Sequence, residues 1–222
     1  MNKFVRMPPR PEWLELEAQW REECRTLEQT AKTNHWARVS KWRRNNTPMA
    51  HMFHKTVRPV GEPRLCAYCD GPLMAQSPET IDHFMPQAVC CTLGRLELIL
   101  KWDNLFPSCF TCNTSAKRDQ WSPLLLKPDT DHVDDYFEFD LQSGEIRARR
   151  GLNENAAKRA SETILTFGLN EFERPQARKF LVDHCLTNAR DLPNVDTIRL
   201  LFASGPYRFV VRTFVEVWDI PL

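Results

Sequence analysis

Four cysteines arranged as two C-x-x-C pairs constrain this chain more than any other feature. The pairs are Cys66 with Cys69 and Cys109 with Cys112. A two-residue spacer lets both thiolates of a pair reach one ion, and two pairs complete the tetrahedral ligand set that structural zinc prefers. We therefore predict a closed zinc site that joins two distant segments and leaves no coordination position for chemistry. Four buried thiols without a metal are the alternative interpretation.

The cysteine content and the first residues of the sequence indicate in which cellular compartment the protein is expected. The chain has 222 residues and eight cysteines, and its first residues, MNKFVRMPPRPEW, contain no apolar segment typical of a signal peptide. No apolar run approaches the roughly 20 residues that span a bilayer. We expect a cytoplasmic protein in which metal binding, rather than a disulfide framework, explains the paired cysteines. The remaining cysteines are expected to be buried thiols: Cys24, Cys90, Cys91 and Cys185.

The composition is that of a globular protein, and the net charge indicates that any binding to a polyanion depends on local clusters of basic residues. Hydrophobic residues make up 42% and charged residues 27%, which argues against wholesale disorder. The net charge is only +1, so general attraction to a polyphosphate is weak. One segment combines basic and aromatic side chains in the pattern that contacts nucleic acid, although a solvated helix edge has the same pattern. Its basic residues are Arg38, Lys41, Arg43 and Arg44.

Hydrophobic periodicity predicts an α+β chain in three parts. Residues 11 to about 33 have the spacing of a long amphipathic helix, whose Trp13 and Trp20 stripe covers either the chain's own core or a partner. Residues 136–146 alternate like a hairpin with a turn at Ser143-Gly144. Residues 153–191 read as two helices separated near Gly168, and residues 195–222 remain unassigned. The predicted parts are an N-terminal helical arm (1–63), a central unit (64–123) and a C-terminal hairpin with helices (124–222).

The residues between and around the cysteine pairs form a specific pattern. Ile81-Asp-His-Phe-Met-Pro-Gln87 lies between the pairs, Asn104-Leu105 precedes the second pair, and Cys112-Asn113 is followed by Lys117. This order over residues 64–118 resembles the zinc-stapled branch of the HNH, or His-Me finger, nucleases. The resemblance implies a ββα-metal core that hydrolyses phosphodiester bonds.

Each motif residue has a role that fits phosphodiester hydrolysis. His83 can act as the general base at neutral pH, because its reference pKa lies near 6.5. Asp82 is expected to bind a hard divalent cation, Mg²⁺ or Mn²⁺, and the resemblance makes Asn113 the second ligand. The resemblance also implies that Asn104 braces the loop that carries the histidine. Lys117, about one helical turn beyond Asn113, is expected to contact a phosphate.

Two other functions use similar cysteines. A zinc nucleobase deaminase needs H-x-E before P-C-x-x-C, but Met85 stands where the glutamate belongs and Ser108 separates Pro107 from Cys109. A non-catalytic zinc module that binds nucleic acid or protein would keep the cysteines and have no need of the Asp-His and Asn residues.

Segments outside the nuclease motif narrow the resemblance. They are Cys66-Ala-Tyr-Cys69, Tyr136-Phe-Glu-Phe139 and the helical Thr163-Ile-Leu-Thr-Phe-Gly-Leu-Asn170. With the central motif they resemble the PtuB-type HNH effectors of Septu and retron-linked anti-phage systems. That resemblance implies a PtuA-like ABC-type ATPase partner encoded nearby and a nucleic-acid substrate. We expect DNA rather than RNA, although the sequence contains no recognisable base-reading element that separates the two. It implies no membrane association.

Overall fold

The structure, a computed structural model, describes residues 4–29, 48–73, 79–190 and 195–219, and it confirms the α+β class. The described residues include two small antiparallel sheets of two strands each. The strands are β1 (Glu79–His83), β2 (Leu105–Cys109), β3 (Phe137–Phe139) and β4 (Ile146–Ala148). The basic residues Arg38, Lys41, Arg43 and Arg44 lie outside the described residues.

Helices make up most of the described chain. They are α1 (Pro11–Gln29), α2 (Pro48–Thr56), α3 (Gln87–Thr92), α4 (Val133–Tyr136), α5 (Glu154–Thr166), α6 (Arg174–Arg190), α7 (Val195–Ser204) and α8 (Arg208–Val217). Two 3₁₀ turns (Leu96–Ile99 and Trp102–Asn104) precede β2, and a π-helix (Thr111–Lys117) follows it. Among the described residues, no helix has both the length and the apolar character needed to cross a membrane.

The hairpin and the two helices expected after residue 124 are confirmed. β3 pairs with β4 in antiparallel register, and α5 and α6 are separated by residues 167–173. Gly144 of the hairpin loop has a φ of 78°, and a Cβ there would lie 2.0 Å from the backbone oxygen of Pro175. Only glycine allows both the backbone conformation and the close approach of α6.

The tryptophan stripe of α1 packs on the chain's own core. Trp13 and Trp20 are buried, and their indole N–H groups donate to the backbone oxygens of Leu100 (3.2 Å) and Leu96 (2.8 Å). The ring of Trp13 meets that of Trp102 edge to face at 5.0 Å. The stripe was predicted to cover either the chain's own core or a partner, and in the structure it covers the chain's own core. This first core also includes Cys24, Phe53, Val57, Cys90, Ile99 and Leu105.

A second hydrophobic core joins the cysteine pairs to the C-terminal helices. The unassigned region after residue 195 forms α7 and α8, and α8 buries Phe209, Val210, Val211, Phe214 and Val215. These side chains belong to one cluster with all four paired cysteines. The central segment contributes residues to both cores. It therefore packs against the N-terminal helices on one side and against the C-terminal region on the other.

Candidate functional site

The pairing of β1 with β2 places the two halves of the motif side by side. Glu79 pairs with Cys109 at one end of the ladder, and His83 pairs with Leu105 at the other. The first cysteine pair is tied to the same strands, because the amide of Ala67 donates to the backbone oxygen of Pro107 (2.9 Å). The cysteine cluster therefore lies at one end of the two-stranded sheet and the Asp-His pair near the other.

The four paired cysteines converge on one point. Their Sγ atoms all lie within 4.8 Å of one another, and all four residues are buried. Hydrogen bonds with Cys112, Cys66 and Cys69 hold the pKa of the Cys109 thiol well below its usual range, which favours a thiolate. Four convergent sulfur ligands suit a tetrahedral metal ion such as zinc.

The remaining cysteines stay outside this cluster. Cys24, Cys90 and Cys185 are buried as expected, and Cys91 is half-buried. Across the described residues, the four paired cysteines form the one group of three or more Cys, His, Asp or Glu side chains with convergent ligand atoms.

An open cavity of about 570 Å³ lies beside β1. Three of the predicted site residues line it together: Asp82, His83 and Asn113. Neighbouring side chains that the sequence analysis did not select also line it, among them Gln87 and Arg118. The cavity therefore brings a carboxylate, an imidazole and two side-chain amides to one place.

Asp82 is held from behind by two donors. Its side chain is 3% exposed; Tyr68 Oη donates to Oδ2 (2.5 Å) and Lys117 Nζ to Oδ1 (3.0 Å). Burial raises the pKa of Asp82, while the Lys117 charge and both hydrogen bonds oppose that rise. A carboxylate offers about four lone-pair positions, so two remain that can bind a cation.

Lys117 corrects one expectation from the sequence. Its side chain is fully buried, and the ammonium also donates to the backbone oxygen of His83 (2.7 Å). The expected phosphate contact assumed α-helical spacing from Asn113. The segment is instead a π-helix, in which the amide of Arg118 donates to the backbone oxygen of Asn113 (2.8 Å), five residues earlier. Lys117 therefore pairs with Asp82 and does not line the cavity.

His83 lies at the end of β1 and is buried against Gln87. The side-chain amide nitrogen of Gln87 is 3.1 Å from His83 Nε2. Gln87 is the first residue of α3 and follows His83 by four positions. The amide oxygen of Gln87 is buried without a hydrogen-bond partner among the described residues. In the sequence, only the position of Gln87 four residues after the histidine pointed to this contact.

The side chain of Asn104 binds both the amide and the carbonyl oxygen of Met85, in the turn after His83. Its Oδ1 accepts from the Met85 amide (2.8 Å), and its Nδ2 donates to the backbone oxygens of Met85 (3.1 Å) and Leu98 (2.9 Å). Its own backbone oxygen accepts from the Phe84 amide (2.8 Å). These contacts hold the turn that carries the histidine, and Asn104 itself does not line the cavity.

Asn113 is oriented by β1. Its Nδ2 donates to Thr80 Oγ1 (3.0 Å) and lies 3.4 Å from the backbone oxygen of Ile81. These bonds use the amide nitrogen, so the carbonyl oxygen is the end of the side chain that can bind a cation.

The buried carboxylate of Glu79, which lines the cavity, contacts three basic side chains. The Glu79 side chain is 3% exposed; Arg58 and Arg64 donate to it, each at 2.5 Å, and His54 Nδ1 lies 3.0 Å away. Burial acts to raise the pKa of Glu79, but the three basic groups outweigh it and lower the pKa to about 2. This cluster joins α2 and the loop after it to the first residue of β1.

Comparison with known proteins gives a distant similarity. No protein-family model matches the chain. The chain is 25% identical over 163 residues to Septu protein PtuB from Bacillus mycoides (strain KBAB4). The match covers 61% of this chain and 53% of that protein, so the chain spans about half the length of the curated relative. The chain is thus distantly similar to a Septu PtuB protein along about three fifths of its own length.

Proposed function

We propose that this chain is a metal-dependent endonuclease of the HNH type that hydrolyses phosphodiester bonds, in DNA rather than RNA. The single observation that carries the proposal is the cavity that Asp82, His83 and Asn113 line together. The antiparallel β1–β2 pair followed by the π-helix supports a ββα-metal core built on this sheet.

The proposed metals differ in their ligands. Zinc at the four cysteines is structural, because four protein ligands leave no open position. The cavity offers oxygen donors on Asp82, Asn113 and Gln87, and the Gln87 oxygen is buried without a partner among the described residues. Oxygen donors of this kind fit Mg²⁺ or Mn²⁺, which would stabilise negative charge on the phosphate and the leaving oxygen.

The residues of the chain supply the rest of the chemistry. His83 accepts the proton of the attacking water, and Gln87 and the Asn104-braced turn fix the direction of its ring. Asp82 is kept as a carboxylate by Lys117 and Tyr68. With Lys117 buried, we assign phosphate contacts to Arg118 at the cavity and to Arg38, Lys41, Arg43 and Arg44.

We also propose that the chain is the nuclease effector of an anti-phage defence system and acts with a PtuA-like ABC-type ATPase. The similarity to a Septu PtuB protein supports this assignment. The net charge of +1 supports delivery to nucleic acid by a partner, because few phosphates can be neutralised by the chain alone.

The test compares the wild-type chain with His83→Ala on DNA and on RNA, with and without Mg²⁺ or Mn²⁺, alone and with the ATPase and ATP. We expect metal-dependent cleavage that falls by about 10²–10⁴-fold in His83→Ala, since that is the usual contribution of a general base. His51→Ala, an exposed histidine of α2 outside the cavity, is the matched control and should retain full activity.

Two outcomes would overturn the proposal. Full activity in His83→Ala would rule out this histidine as the base. Zinc-dependent binding of nucleic acid without cleavage in any of these conditions would instead support a non-catalytic zinc module.

A further inference from the structure

A buried arginine from outside the central segment contacts the cysteine cluster. Arg174, the first residue of α6, is 7% exposed, and its Nη2 donates to Cys112 Sγ (3.1 Å) and lies 3.9 Å from Cys109 Sγ. Its Nη1 donates to the backbone oxygens of Phe167 (2.6 Å) and Gly168 (2.5 Å). The guanidinium is thus fixed by two carbonyls and directed at the sulfur atoms.

The charge of a four-thiolate site explains why a cation belongs there. Four thiolates contribute −4 and a zinc ion +2, so the loaded site carries −2. A buried net charge is costly unless an opposite charge and hydrogen bonds accompany it. Hydrogen bonds between ionised groups are about twice as strong as neutral ones. An arginine side chain does not lose its proton in proteins, so Arg174 supplies that opposite charge.

We propose that Arg174 is a positioning and charge-compensating residue of the cysteine metal site, and that it makes metal binding depend on α6. This inference rests on the zinc assignment in the proposed function. The guanidinium donates to Cys112 Sγ, and a hydrogen bond between ionised groups is stronger than one to a neutral acceptor, so it stabilises zinc-bound thiolates more than thiols. Loss of its charge therefore weakens zinc binding.

The same arginine links the cluster to the proposed catalytic carboxylate. Phe167, whose backbone oxygen Arg174 binds, stacks on Tyr68 with ring centroids 4.0 Å apart. Tyr68 lies between Cys66 and Cys69 and donates to Asp82. A site that loses metal would therefore also release a donor that holds Asp82.

The chain contains a matched control one helical turn away. Arg178 is also on α6, is 2% exposed, and donates to the backbone oxygens of Arg174 (3.1 Å) and Leu169. Arg178→Gln removes a buried guanidinium that binds carbonyl oxygens, whereas Arg174→Gln removes one that binds sulfur. Arg174→Lys keeps the charge but loses the planar pair of donors.

The experiment uses the full chain as wild type, Arg174→Gln, Arg174→Lys and Arg178→Gln. Zinc content is measured by elemental analysis, zinc affinity by competition with a chromogenic chelator, and the thiolate environment by the sulfur-to-metal charge-transfer bands of the cobalt-substituted protein. We expect Arg174→Gln to lower zinc affinity by about 10–100-fold, as is usual for groups that support metal ligands, and to shift the bands. Arg174→Lys should recover part of the affinity, and Arg178→Gln should leave both measurements unchanged.

Wild-type affinity and bands in Arg174→Gln, or an equal loss in Arg178→Gln, would overturn the inference. If Arg174→Gln does not fold, Arg174→Lys decides: a partial loss with shifted bands supports the inference, and identity with wild type overturns it. A wild-type chain without zinc overturns the zinc assignment and this inference together. If the variants lose zinc affinity as expected but the wild-type chain has no nuclease activity, only the catalytic proposal is overturned.

Discussion

At the scale of single residues, the candidate site contains a buried ion pair. Lys117 is fully buried and Asp82 is 3% exposed. Removal of one partner from such a pair leaves an uncompensated charge, which typically costs more than the pair itself contributes. The Lys117 charge therefore offsets part of the cost of burying the Asp82 carboxylate, which is a different role from that of an exposed surface ion pair.

We predict that Lys117→Met lowers the free energy of unfolding by about 3–5 kcal/mol, the usual cost of stranding one buried charge. Urea denaturation followed by circular dichroism measures the change. Lys158→Met removes an exposed i,i+4 pair with Glu154 and serves as the control, for which only a small change is expected. Equal losses in the two variants would show that the buried pair has no special role.

At the scale of elements, the Glu79 cluster fixes where β1 begins. Arg58 and Arg64 follow α2, and both bind this carboxylate at the strand's first residue. Its pKa is lowered to about 2 from an ordinary value of 4.5, a difference of roughly 3 kcal/mol at 1.36 kcal/mol per unit. Because the folded-state pKa is depressed, this stability is present above the unfolded pKa and is lost as the pH falls toward 2.

We expect Glu79→Gln to be less stable than wild type near neutral pH, and the gap to narrow as the pH falls below about 4.5. Urea unfolding at a series of pH values from 6 to 3 provides the measurement. Glu154→Gln, in an exposed ion pair, should give a curve parallel to that of wild type. A gap that stays constant from pH 6 to pH 3 would contradict the assigned pKa.

At the scale of the whole molecule, the cysteine cluster belongs to the larger of the two hydrophobic cores that the described residues form. That core unites the cysteine segments with β3, β4 and the helices from α5 to α8. Apparent zinc affinities of roughly 10–16 kcal/mol in small peptides indicate how much one ion can contribute to folding. Loss of the metal should therefore disorganise the C-terminal half as well as the central segment.

We predict that Cys109→Ser abolishes zinc binding, from about one ion per chain, and unfolds this core. Elemental analysis and amide hydrogen exchange report the two effects. Cys185→Ser is the matched control, since Cys185 is buried in the same core outside the metal cluster and should keep its zinc. A stably folded Cys109→Ser protein with protected amides in α5 to α8 would refute the prediction.

Local patterns explain most of what could be predicted from the sequence. Period-2 alternation predicted β3 and β4, and glycine marked the break between α5 and α6, because both depend on neighbouring residues. The spacing of Cys66, Cys69, Cys109 and Cys112 predicted their convergence, which the structure shows. The order of the motif residues also predicted that Asp82, His83 and Asn113 belong together.

Long-range packing and backbone geometry decided the rest. The inward direction of Lys117 follows from a π-helix that no short pattern in the sequence announced. The contact of Arg174 with Cys112 joins residues 62 positions apart. Glu79 gains its basic partners only when folding brings His54, Arg58 and Arg64 to it. The sequence by itself therefore determined the ligand set of the cysteine cluster and the candidate residues of the proposed site, because residue type and spacing are local properties. Only the tertiary structure determined which charges are buried and paired, because burial depends on segments that meet after folding.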